Sequence, residues 1–186
     1  MSILINEVGD VFSLGENINE LISPVNVETF ELTNEAKDFI SGRITNENAM
    51  QLFDFIPSKL LLYRGDKQLI PASASVFDKK TPSEIKKHID KFKIPHFNSH
   101  DEIHFCFGGS WLFHFKIKDK FYSYIIQPGN ALFIPANIEH WASPTSDLFA
   151  ISASACSVNY QVFKSGVVYQ EQIIKKSFLP DCCLLN

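Results

Sequence analysis

The sequence predicts a mainly β protein built as one domain, with a mixed α/β region ahead of a small barrel or sandwich. Three observations carry that expectation. At 186 residues the chain is long enough for one substantial core, and nothing in its composition calls for a second. Its 17 phenylalanines fall largely in short alternating runs between turn signals, the pattern of half-buried strands. Beyond Ile94 the hydrophobic period becomes two and stays two. Residues 1–88 make up the mixed region, 89–156 the strands that carry the chemistry, and 157–186 a C-terminal extension.

In chain order, residues 1–7 and 25–32 are apolar enough for strands. Thr33 or Asn34 then caps a helix through about Ile40, with Gly42 as its stop. A second helix is expected over 47–55, ended by Pro57, and a strand over 59–63 before the turn Arg64-Gly65-Asp66. Thr81-Pro82-Ser83-Glu84 is a capping box with proline at the first helical position, leading into Ile85, Ile89 and Phe92 at helical spacing. After that helix, strands are expected over 96–107, 111–117, 121–127, 131–134, 138–143 and 148–156. Turns fall at Gly108-Gly109, Lys118-Asp119-Lys120 and Pro128-Gly129-Asn130. Six short strands with tight turns suit a sandwich or barrel better than a parallel sheet. The apolar end 179–185 offers a contact for the barrel exterior or for a second subunit of a homo-oligomer.

Seventeen basic against twenty-one acidic side chains give a net charge of −4, without the basic excess of a nucleic-acid binder. The N-terminal stretch lacks the basic and apolar regions of a signal peptide, and no window approaches a bilayer span, so a soluble, cytoplasmic protein with no membrane partner is expected. Cys106, Cys156, Cys182 and Cys183 form neither a CxxC pair nor a regular framework and read as reduced thiols. There is no GxSxG elbow, P-loop or dinucleotide turn.

The chemistry concentrates between His88 and His140, which include all six histidines. In one extended strand His96, Asn98, His100, Glu102 and His104 would share a face, with Cys106 at the same parity. Imidazole and carboxylate are the donors preferred by first-row divalent metals, and two histidines with one carboxylate leave positions open on Fe(II) for substrate and dioxygen. His96, Glu102 and His140 supply that set. Gly129 and Pro135 give the turn and rigid corner that return the chain so that His140 faces His96. For other residues a plainer role comes first: His88 solvated on a lysine-rich helix, His114 a hydrogen-bonded strand histidine, His100 a surface or supporting group, Cys106 a small buried apolar group, Trp111 and Trp141 core or pocket walls.

These spacings resemble the paired motifs of the cupin superfamily: HxHxxxE, six residues and glycine, then glycine, five residues, proline, four residues and histidine. His96, Glu102, Gly109, Gly129, Pro135 and His140 stand at those positions. Length, the helix ahead of the first block and the PAxxxHW ending are most similar to acireductone dioxygenase, over roughly 89–153. The resemblance implies a cupin (double-stranded β-helix, or jelly-roll) barrel in a cytoplasmic enzyme of methionine salvage. It also implies one Fe(II) or Ni(II) per chain on three histidines and a glutamate, and dioxygen-dependent cleavage of a small acireductone. His96, Glu102 and His140 carry over as metal ligands, and Phe92 as an apolar pocket residue that binds substrate.

Two positions depart from the family. Asn98 stands where the second histidine ligand belongs, and its amide oxygen is a weaker, harder donor. His104 stands where the family has an arginine that assists an anionic substrate, so it is the candidate catalytic and substrate-binding group. Three arrangements follow. His96, Glu102 and His140 bind metal, with Asn98 or water completing the sphere; or His100 replaces the missing ligand through a bulge, being one strand period (~7 Å) away; or the site is a degenerate cupin that takes a small molecule or a partner chain without oxygenase activity.

Overall fold

The computed structural model describes residues 3–13, 18–42, 44–63, 67–78, 81, 83–145, 149–157 and 161–165. Its strands are β1 (Ile3–Asn6), β2 (Val11–Ser13), β3 (Asn26–Thr29), β4 (Leu62–Tyr63), β5 (Lys67–Gln68), β6 (Ile70–Asp78), β7 (His96–Asn98), β8 (Glu102–Gly109), β9 (Trp111–Ile117), β10 (Lys120–Ile126), β11 (Asn130–Ile134), β12 (Glu139–Pro144), β13 (Phe149–Cys156) and β14 (Val162–Lys164). The helices are α1 (Ile18–Leu21), α2 (Asn34–Gly42) and α3 (Ser83–Phe92), with 3₁₀ helices at Ala49–Phe55 and Ser58–Leu61. Seven strands form one sheet in the order β14-β7-β12-β9-β10-β1-β2, and five form a second in the order β3-β11-β8-β13-β6.

The two sheets face each other across a common core. Phe113, Phe115 and Ile117 of β9 and Tyr124 of β10 meet Cys106, Leu132, Ile134 and Phe77 from the five-stranded sheet. Strand alternation sends the intervening residues the other way: Ile103, Phe105, Phe107, Ile151 and Ala153 pack beneath Leu52, Ile56 and Leu60 of the 3₁₀ segments. The sandwich therefore has one sheet covered by the N-terminal helical region and an interior open to polar residues at one end. This open two-sheet architecture is a cupin-type jelly roll. Among the described residues no helix is long and apolar enough to cross a membrane.

Thr33 caps α2 as its sequence suggests, its Oγ1 accepting from the Ala36 N–H at 3.2 Å. The turns at 118–119 and 129 also stand where the glycine and polar clusters put them, with Lys118, Asp119 and Gly129 at positive φ.

Four expectations need correction. The strand expected over 96–107 is two strands in different sheets, separated by a bend at Ser99 and His100. The bend is pinned: the Ala136 N–H donates to Asp101 Oδ1 at 2.8 Å, and the Asn137 N–H donates to the Asn98 carbonyl at 2.9 Å. The helix expected over 47–55 is a 3₁₀ segment, because Asn48 spends its Oδ1 on the Thr45 N–H instead of capping an α-turn. Most of the strand expected over 59–63 is likewise 3₁₀, with only Leu62–Tyr63 extended. The Thr81 hydroxyl, read as a helix cap, is hydrogen-bonded back to Asp78. The nine-residue strand β6 has no counterpart in the sequence reading; its Ala-Ser-Ala-Ser run lacks the β-branched and aromatic residues that signal strands. The Arg64-Gly65-Asp66 turn, Pro82, Cys182, Cys183 and the end 179–185 lie outside the described residues.

Candidate metal centre

Three strands bring the site together. Antiparallel pairing of β12 with β7 sets His140 directly opposite His96, with ring centroids 4.4 Å apart. The bend after Asn98 carries the chain across to β8, whose inward positions are Glu102, His104 and Cys106. Convergence thus comes from a crossing between sheets rather than from one straight face, and His100 is left behind at the bend, where its Nδ1 meets Ser99 Oγ at 2.6 Å.

Glu102 is the hub, only 4 % exposed. Its Oε1 lies 2.7 Å from His140 Nε2 and accepts from Asn98 Nδ2 at 2.6 Å. Its Oε2 lies 3.3 Å from His104 Nε2. Burial disfavours the carboxylate's charge, but the His104 and His140 imidazoles outweigh it and keep the pKa well below the ordinary carboxylate range. His140 answers in the opposite sense: burial opposes its charge, yet Glu102's charge and hydrogen bond raise its pKa. His96 is a different case. Burial first, and then the neighbouring His140, push its pKa down to about 4, so it is neutral at physiological pH.

The outer nitrogens of both paired histidines are fixed. His96 Nδ1–H donates to the Ile94 carbonyl at 2.7 Å, and His140 Nδ1–H donates to the Ile138 carbonyl at 2.9 Å. A carbonyl only accepts, so each ring is locked with Nε2 as the nitrogen that can bind a metal, the supporting contact that metal-binding histidines commonly have.

The donor set fits a divalent cation. Nitrogen and oxygen donors of Glu102, His104 and His140 all lie within 4.8 Å of one another. A further observation points the same way: Asn98 Oδ1 is buried with no hydrogen-bond partner. The resemblance assigned Asn98 to the metal and His104 to substrate; here the Asn98 amide nitrogen is turned to Glu102, and His104 stands inside the tight donor set.

The centre opens on a cavity lined in part by Phe92 at the end of α3, and by Trp111 and Phe113 of β9. Phe113 packs on His104 with ring centroids 4.8 Å apart. Cys106 also lines it, and burial pushes its thiol up to about 12, so it is a neutral, uncharged part of the wall. Cys106 and Cys156 are both free and buried. The sequence reading missed Ser73, Ser75, Ser152 and Ser154, which line the same cavity. Their signal was present as serine alternating with alanine in both strands. His114 points to the other face of β9, where it meets Ser123 Oγ at 2.8 Å and stacks on Trp141.

Comparison with known proteins places the chain in a family. Over 98 residues the chain is 28 % identical to an acireductone dioxygenase of a Sulfurihydrogenibium species, a segment covering 53 % of this chain and 54 % of that protein. Over 64 residues it is 33 % identical to the acireductone dioxygenase of Saccharopolyspora erythraea, covering 34 % of each. The matches thus span a third to about half the length of these curated relatives. A solved acireductone dioxygenase from Bacillus anthracis, with cadmium ion in its active centre, superposes with a TM-score of 0.70 at 17 % identity, over 86 % of this chain and 94 % of that one. The sequence profile of the ARD/ARD' family matches residues 29–150, and the chain belongs to that family.

Proposed function

We propose that the chain is a metal-dependent dioxygenase that oxidatively cleaves a small enediol of the acireductone type, with one Fe(II) or Ni(II) per chain. The observation that carries this reading is the donor inventory. The resemblance implies three imidazoles and one carboxylate. With Asn98 in place of one histidine and His104 in place of the arginine, His96, Glu102, His104 and His140 keep that count. The reading therefore gives the metal to those four residues and makes Asn98 the group that holds the Glu102 carboxylate through its amide nitrogen.

A bound divalent ion would supply Lewis acidity at the enediol oxygens. The chain supplies the rest. Glu102 stays ionised and offsets the ion's charge. The Ile94 and Ile138 carbonyls keep His96 and His140 in the ligating tautomer. Phe92 and Phe113 exclude water and fix the plane of a small substrate. Among the described residues no lysine or arginine lines the cavity, so an enediolate finds its countercharge at the metal centre itself. The same reading expects cytoplasmic turnover, with methionine salvage as the reference reaction.

The test is product analysis. Protein loaded with Fe(II) or Ni(II) without oxygen, then given an acireductone and dioxygen, is expected to yield cleavage products, and His140→Ala to reduce the rate by at least about 100-fold. Metal-loaded protein that consumes no dioxygen and forms no cleavage product would contradict the reading.

A further inference from the structure

The cavity beside the metal centre has two unlike walls. On β9 it is aromatic, with Trp111 and Phe113. On the five-stranded sheet it is hydroxylic. β6 and β13 pair so that Ser73 opposes Ser154 and Ser75 opposes Ser152, with Oγ–Oγ distances of 2.8 and 3.4 Å. β13 pairs on its other side with β8, where Ser154 stands opposite His104 and Ser152 opposite Cys106. The four hydroxyls therefore form two tiers running inward from the metal-site end, about 7 Å per tier.

Many other inward positions of these sheets are large and apolar, as at Phe115, Ile117, Leu132 and Ile134. Serine at four adjoining inward positions instead gives the cavity a hydroxylic wall beside the metal-site residues. Two hydroxyls bonded to each other use a single O–H; each pair keeps a second O–H and spare lone pairs for a third partner. A second observation lies across the cavity. Trp111 is 5 % exposed, and its indole Nε1–H has no hydrogen-bond partner. A thioether or alkyl tail here would strip water from these groups without replacing the hydrogen bonds. Among the described residues no lysine or arginine lines the cavity to pair with an anionic tail.

Resting on the enediol reading above, we propose that the serine wall is a subsite for a neutral, hydroxyl-bearing substrate tail, so that the chain acts on hydroxylated enediols in preference to those with thioether or alkyl tails. Ser73, Ser154, Ser75 and Ser152 receive the tail, with Trp111 lining the same cavity.

The test uses binding, so that it does not depend on turnover. Protein reconstituted with redox-inert Zn(II) is titrated by calorimetry with two hydroxamates of equal heavy-atom count, one ending in a hydroxyl and the other in a methyl. Metal content is measured on the same sample. The hydroxyl-ended probe is expected to bind at least about tenfold more tightly. Ser73→Ala/Ser154→Ala and Ser75→Ala/Ser152→Ala are expected to bring that preference to near unity while leaving metal content unchanged. Metal-loaded wild-type protein that binds both probes equally, or prefers the methyl-ended one, overturns the serine-wall proposal alone. Failure to take up metal overturns the proposed function as well.

Discussion

Asn98 and His104 decide how the metal centre is read. One lost an imidazole relative to the pattern the chain resembles, and the other gained one two residues beyond Glu102. If His104 is a ligand and Asn98 a support for the carboxylate, their substitutions should differ in size. His104→Ala is expected to lower Ni(II) affinity at least about 100-fold, and Asn98→Ala about tenfold, by equilibrium dialysis. Asn98→His/His104→Arg, which restores the family pattern at both positions, should recover most of the affinity lost in His104→Ala. Unchanged affinity in His104→Ala with loss in Asn98→Ala would return the amide oxygen to the coordination sphere. A second prediction at this scale concerns His114, well away from the cavity. Burial lowers its pKa to about 4, against 6.5 for a free side chain. The unfolded chain thus binds the extra proton first: stability is full above pH 6.5, falls as pH drops toward 4, and levels off below it. The residue is only partly buried, so its share is expected to be about 1–2 kcal/mol. Urea unfolding of the metal-free protein across that window should show a shallower loss in His114→Phe than in the parent chain.

Elements explain both what the sequence made readable and what it hid. The strands from β9 to β13 follow from short apolar runs between glycine or polar turns; β9 and β12 show the alternation in their burial, whereas β11 is buried throughout. The β7–β8 region misleads for a geometric reason. Parity predicts a shared face only while a strand stays straight, and hydrogen bonds from Ala136 and Asn137, far along the chain, pin the bend that separates His96 and Asn98 from Glu102 and His104. The donors were thus identifiable by chemistry, but the way they converge was not. β6 was invisible because small residues chosen to line a cavity resemble a loop in composition. The turn from β8 to β9 gives a direct test of one element. Gly109 has φ of 62°, and a Cβ there would stand 2.0 Å from the Phe149 carbonyl oxygen. Gly109→Ala is expected to cost about 2–4 kcal/mol in urea denaturation, since both the backbone conformation and the close approach resist a side chain. A cost below about 0.5 kcal/mol would show that this corner is looser than the fold account requires.

At the scale of the whole molecule, the metal centre is a junction between the two sheets: β7 and β12 belong to one, β8 to the other. An ion bound by residues of both sheets should stabilise the assembled sandwich and not the unfolded chain. At a free Ni(II) concentration about 100 times its Kd, linkage predicts about 2.7 kcal/mol of added stability. For a chain of this size that is an increase in Tm of about 5–10 °C, reversed by a chelator. An unmoved Tm at saturation would separate metal binding from the joining of the sheets.

Whether one divalent ion sits on three imidazoles and one carboxylate, with His104 among them, is decided by anomalous diffraction from crystals of the Ni(II)-loaded chain. The expected result is a single strong peak in coordination contact with Glu102, His96, His104 and His140, with the Asn98 amide nitrogen still on the carboxylate. A peak contacting Asn98 Oδ1 with His104 turned away, or no peak between the sheets after loading, would contradict it.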